Sequence, residues 1–162
     1  MSECMSELAT IEDLVQALYS KGGRSEYEPK SQGNNVSSGN EFLAAAYEAG
    51  WIEQLDMLHP TKPIFRRDVA KIVHLYLCHV LGEPDETEIT PSYILKDLYD
   101  CRVCAGHIMQ VYLKGIMESI EFLPGLFIFG LREHLTKTEI TTIVERVFWP
   151  NKRLQITKRL NH

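Results

Sequence analysis

The sequence predicts an all-α domain, and three observations carry that reading. Apolar residues recur at the helical period, three such segments begin in the same register, and a helix closed by glycine precedes two of them. The three starts are Ala9-Thr10, Ile64-Phe65 and Leu135-Thr136.

The first segment places Leu14, Ala17 and Leu18 on one stripe behind Thr10-Ile11-Glu12-Asp13. That tetrad has the form of a capping box, in which the threonine oxygen accepts from an orphan backbone N–H and the acid bonds back. Residues 22–40, GGRSEYEPKSQGNNVSSGN, carry almost no apolar surface and read as a linker. Leu43 to Ile52 then reads as a helix ended at Gly50.

The second capped segment runs from Asp68 to Leu81, with Val69, Ile72, Val73, Tyr76, Leu77 and Val80 on one face. Its start, Phe65-Arg66-Arg67-Asp68, keeps the acid but lacks the capping hydroxyl, so its first-turn N–H groups need other partners. An acidic break follows at Gly82-Glu83-Pro84-Asp85-Glu86. Ile108 to Met117 repeats the glycine-ended helix, pairing Tyr112 with Tyr47 and Gly115 with Gly50.

The stretch Ile120 to Leu131 is apolar and is expected to be a buried loop, the other reading being an exposed partner patch. Thr136-Lys137-Thr138-Glu139 is a second capping box, opening a helix striped by Ile140, Ile143, Val144, Val147 and Phe148. Trp149-Pro150 stops it, and the tail from Asn151 to Leu160 is basic with interspersed apolar residues. The domain plan is a single unit: a reduced first repeat at 6–21, the linker at 22–40, repeats at 41–82 and 91–149, and the tail at 150–162.

With 162 residues, 44% hydrophobic and 24% charged, the chain has the make-up of one ordinary globular domain. Its net charge of −5 argues against nonspecific nucleic-acid binding, which needs a basic face. No apolar run is long enough to cross a membrane. The acidic start, Met1 to Glu7, does not read as an export signal. A cytoplasmic chain is therefore expected, or a cell-surface one if this is a piece of an exported protein. The four cysteines, Cys4, Cys78, Cys101 and Cys104, are too few for a disulfide framework and are expected to be reduced.

The sharpest local cluster is Cys101, Cys104 and His107, whose spacing suits zinc. A fourth ligand would have to come from Cys78, His74 or His79, if the fold brings one near. The alternatives are plain core or surface cysteines and a redox pair. Zinc is the one cofactor candidate. No nucleophile–base set or phosphate-binding loop stands out, so a non-catalytic domain is expected.

Together these starts resemble the repeats of the S-layer homology family, in which a glycine-ended helix and a loop lead into a helix beginning Ile-Thr-Arg-Ala-Glu. Leu58-His59-Pro60-Thr61-Lys62-Pro63-Ile64 resembles the end of that loop, and Leu135 to Glu139 the helix start. The resemblance covers residues 9–20 and 41–148. It implies a pseudo-threefold helical bundle with grooves between repeats, and binding of an anionic cell-wall polysaccharide through the basic residue of the motif. By position that residue is Arg66 in the middle repeat and Lys137 in the last, and Ile11 stands there in the first. The implied ligand-binding set is Arg66, Arg67, Asp68, Thr136, Lys137 and Glu139. The alternative is an intracellular protein-interaction domain that kept the fold and lost the sugar. The reduced first repeat leaves a groove that a second copy of the chain could fill.

Overall fold

The computed structural model describes residues 7–22 and 39–156. Five α-helices and one two-stranded hairpin occur among them. The helices are α1 (Ile11–Lys21), α2 (Gly39–Glu48), α3 (Arg66–His79), α4 (Arg102–Leu113) and α5 (Lys137–Phe148). The chain is thus mostly helical, as expected. Short 3-10 turns at Gln54–Met57, Thr90–Ile94, Leu98–Asp100 and Pro150–Lys152 connect them.

The helix starts form where the capping chemistry put them. Thr10 accepts from the Asp13 N–H at 3.2 Å while Asp13 accepts from the Thr10 N–H at 2.9 Å. Thr136 and Glu139 repeat the exchange at the head of α5. Replacing Thr136 with alanine is expected to lower the unfolding free energy by about 1 kcal/mol, read as a reduced urea midpoint at unchanged m value.

At the uncapped head of α3 the neighbouring chain does what the missing hydroxyl cannot. The Arg66 N–H donates to the Glu133 carbonyl at 2.8 Å and the Arg67 N–H to the Leu131 carbonyl at 3.2 Å. First-turn groups elsewhere follow suit: Lys137 N–H donates to Glu7 O, and Glu12 N–H to Pro60 O. The residues just before the helices are joined as well, through isolated β-bridges Leu8 to Thr136, Thr10 to Pro63 and Phe65 to His134. In each bridge the residue two before one helix cap faces the cap residue of the next. The bridges run around all three starts and close. Ala9, Ile64 and Leu135, one residue before each cap, are buried where the starts meet.

Below this junction the stripes make one core. Leu14, Val69 and Ile140 are buried, and so are Leu18, Val73 and Val144. α1 packs on α2 and α5, and α3 on α4. The glycine-ended helix ahead of α3 therefore lies against α1, and the one ahead of α5 against α3. Tyr76 joins the set from α3, edge-on to both Trp51 and Phe148. Gly50 and Gly115 close α2 and α4 with φ of 85° and 71°, the left-handed conformation glycine adopts without a Cβ penalty.

Two expectations about the elements change. The helices before the glycines begin earlier than the apolar pattern suggested, and Trp51-Ile52 and Ile116-Met117 lie beyond them as buried anchors. The apolar loop is a hairpin, β1 (Ile120–Leu123) and β2 (Leu126–Ile128), turning at Pro124-Gly125 with Gly125 at φ 76°. Phe122 and Leu123 are exposed at its tip, whereas Phe129 and Leu131 beyond it are buried.

Most of the expected linker, residues 23–38, lies outside the described residues, as do Met1 to Ser6 with Cys4, and tail residues 157–162. Of the tail that is described, Leu154 donates to the Gly115 carbonyl at 2.9 Å and Ile156 is buried. Arg153 pairs with Glu83 at 2.8 Å. The acidic break is likewise held down: Lys114 reaches Glu83 and the Pro84 carbonyl, and Gln110 and the Glu86 backbone bond to each other. No helix among the described residues is long and apolar enough to cross a membrane.

Candidate functional site

Pockets lie beside the helix starts, and Lys137, Arg67 and the pair Arg66 and Glu139 line three different ones. Lys137 heads α5 on the open side of a groove of about 900 Å³ lined also by Glu7, Thr10, Glu12, Asp13 and Thr61. Its ammonium donates to Glu7 at 2.6 Å and lies 4.0 Å from Asp13, with half of the side chain exposed. The hydrogen bond to Lys137 holds the Glu7 carboxyl below its ordinary pKa and raises that of Lys137. Thr136 and Glu139, beside it, are committed to the cap.

Arg66 is different. Only 6% of it is exposed, and its guanidinium is spent on backbone: Nε donates to the Phe129 carbonyl at 2.8 Å and Nη2 to the Glu118 carbonyl at 2.6 Å. The same group lies 4.8 Å over the Phe129 ring. Burial lowers its pKa, opposed by the surrounding acids Glu139, Glu118, Asp97 and Glu133. What remains next to it is a cavity of about 140 Å³ shared with Glu139, Thr142 and Arg146. Arg66 therefore braces the hairpin's exit against α3.

Arg67 turns the other way, over the Phe65 ring at 5.2 Å, and lines a groove of about 610 Å³ with Asp97, Asp100, Arg132 and Glu133. Asp68 accepts from the Phe65 backbone; partial burial raises its pKa, against the pull of Arg67 and Lys71. Ile11, which like Arg66 and Lys137 directly follows the cap residue of its helix, is buried. Arg66 and Lys137 thus do not share one surface. One is structural and one faces solvent.

The zinc arrangement expected on Cys101, Cys104 and His107 is not formed. Cys101 and Cys104, 5.2 Å apart at Cα across the first turn of α4, are joined as a disulfide, which also corrects the expectation of reduced thiols for this pair. His107, one turn further on, meets His74 of α3 instead, Nδ1 to Nδ1 at 2.8 Å. On its far side His74 bonds Asp85 through Nε2 at 2.7 Å, and Cys78 lies 3.7 Å from the same carboxylate oxygen. Burial, then the neighbouring His74 and Lys71, lowers the His107 pKa.

No protein-family model matches the chain, and neither the curated proteins nor the solved structures give a match.

Sequence reasoning missed Glu7, the partner of Lys137, and Asp97, whose two oxygens take the N–H groups of Phe129 and Gly130 at 2.7 and 2.8 Å. Neither carries a local signal, since each acts across more than thirty residues of chain. His74 and Cys78 did carry one, because residues four apart on a helix share a face.

Proposed function

We propose that this chain is a non-catalytic binding module on a pseudo-threefold frame of the S-layer homology type, taking an anionic cell-wall polysaccharide in the groove headed by Lys137. The observation that supports it most is the cyclic bridging of the three helix starts, Leu8 to Thr136, Thr10 to Pro63 and Phe65 to His134. Three copies of one unit related by rotation would be joined in that manner. A ring of this kind places each helix N-terminus, with its positive dipole end, beside the seam to the next repeat.

Of the cations that the resemblance implies, Lys137 is the one placed to act. Its partner Glu7 is fully exposed, and an ion pair of that kind contributes little, so a ligand carboxylate replaces Glu7 at small cost. Thr10 and Thr61 add hydroxyls that suit a sugar chain. Glu12 and Asp13 add negative charge to the same groove, which keeps the electrostatic part modest and leaves repeated contacts along a polymer to supply avidity.

Calorimetric titration of the full chain with isolated anionic wall polysaccharide tests this. Saturable binding is expected, lost in Lys137→Ala and several-fold tighter in Glu7→Gln, with neither exposed substitution changing the circular dichroism. A flat titration with the folded wild-type protein sinks the wall-binding reading. The exposed Phe122 and Leu123 of the hairpin tip favour a second one, a protein-binding domain. That reading predicts the flat titration.

A further inference from the structure

We propose that His74, Cys78 and Asp85 form a zinc-binding site, with His107 holding the His74 ring in the liganding orientation. Their candidate ligand atoms, one per residue, lie within 4.8 Å of one another. Bond lengths of about 2.0 Å to nitrogen and oxygen and about 2.3 Å to sulfur place ligand atoms roughly 3.3–3.7 Å apart around a tetrahedral zinc ion. The Cys78 sulfur already stands 3.7 Å from Asp85 Oδ1. Asp85 and His74 Nε2, at 2.7 Å, have to part by a few tenths of an ångström, and the half-exposed Asp85 side chain has room to do so.

The local sequence explains the geometry. His74 and Cys78 are four apart on α3, so both side chains leave the same face one turn from each other. After Gly82, with φ of 64°, the chain turns back, and Lys114 holds the break through Glu83 and the Pro84 carbonyl. Asp85 is thereby delivered over the His74-Cys78 face. The mixed nitrogen, sulfur and oxygen donors suit zinc better than calcium or magnesium, which prefer oxygen alone.

The second contact of His74 fits a ligand's needs. A liganding histidine usually gives its other ring N–H to a fixed acceptor, which sets the tautomer. With zinc on Nε2, His74 Nδ1–H donates to His107 Nδ1, 2.8 Å away. On binding, the Cys78 S–H bond breaks and the sulfur–zinc bond forms, and the proton leaves to solvent. Thiolate and carboxylate then balance the ion's charge, and a water takes the fourth position. This set is distinct from Cys101 and Cys104, whose sulfurs are bonded to each other.

Cobalt(II) substitution reads the site directly, because a thiolate bound to cobalt gives a near-ultraviolet charge-transfer band. The full chain, with the Cys101–Cys104 disulfide closed, is stripped with chelator and titrated with cobalt(II), then with zinc as displacer. Expected is a band saturating at one equivalent, abolished by zinc, absent in Cys78→Ser, and retained in the Cys101→Ser/Cys104→Ser double variant. His107→Gln should keep the band with roughly 10- to 100-fold weaker affinity. Asp85→Asn, which keeps an oxygen for the His74 hydrogen bond, should also weaken binding. If Cys78→Ser fails to fold, the Asp85→Asn arm decides. No band in the folded, oxidised wild type overturns the proposal. So does a band that disappears only in the Cys101/Cys104 double variant, or an affinity unmoved by Asp85→Asn.

Discussion

Arg66→Ala is expected to destabilise the protein by about 3–5 kcal/mol, the sum of two charge-assisted hydrogen bonds at about 1.5–3 kcal/mol each, one of them part-exposed, and the lost packing on Phe129. The substitution strips the carbonyls of Glu118 and Phe129 of their donor, and the buried one, Phe129, costs about 1–3 kcal/mol when left unpaired, the part-exposed Glu118 bond less. It also removes the alkyl stem and guanidinium plane that pack on the Phe129 ring. Arg66→Met, which keeps the stem and loses the donors, should recover the packing share alone. Arg66→Lys should recover one carbonyl, since an ammonium is a point donor rather than a fork. Urea denaturation of the four proteins measures the series. Wild-type stability in Arg66→Ala would return Arg66 to the ligand-binding candidates, because its guanidinium would then not be required by the fold.

The same residue shows what sequence reading reaches and where it stops. Position at N1 of a helix beginning Phe-Arg-Arg-Asp was legible, and so was the lack of a capping hydroxyl at Phe65. That the missing cap is replaced by Glu133 and Leu131 carbonyls was not, because those bonds join segments more than sixty residues apart. The capping boxes at Thr10 and Thr136 act within four residues, which is why both formed where the sequence put them.

The hairpin is a different kind of miss. Its Pro124-Gly125 turn is a local signal, with proline pre-set at the first corner and glycine supplying the positive φ at the second. Mostly apolar character on both sides hid it, with Glu121 the one polar residue of either strand and so no alternation to mark one. The expected zinc set failed for a related reason. The Cys-x-x-Cys spacing suits a disulfide in one helical turn as well as a metal, and the partner of His107 sits on another helix.

Gly115→Ala should be the second severe change, and Gly50→Ala is its control. Both glycines follow a helix end, with φ of 71° and 85°. Alanine in that conformation costs about 1–2 kcal/mol from backbone strain at either site. A Cβ on Gly50 meets nothing within 4 Å, so Gly50→Ala should show that cost and no more. A Cβ on Gly115 would strike the Leu154 carbonyl oxygen and come within 2.8 Å of the Leu154 carbonyl carbon. The tail has to lift. With it go the Leu154-to-Gly115 hydrogen bond, about 1 kcal/mol, and the burial of Ile156, about 1.5–3 kcal/mol. The total for Gly115→Ala is then about 3.5–6 kcal/mol. In a chain ending at Trp149 there is no tail to displace, and the two substitutions should cost the same. Unequal costs in the shortened chain would mean that the collision with Leu154 is not what makes Gly115 different. Two glycines in one register thus have one local task in common, and the part that separates them is set by which segment of chain lies across the helix end.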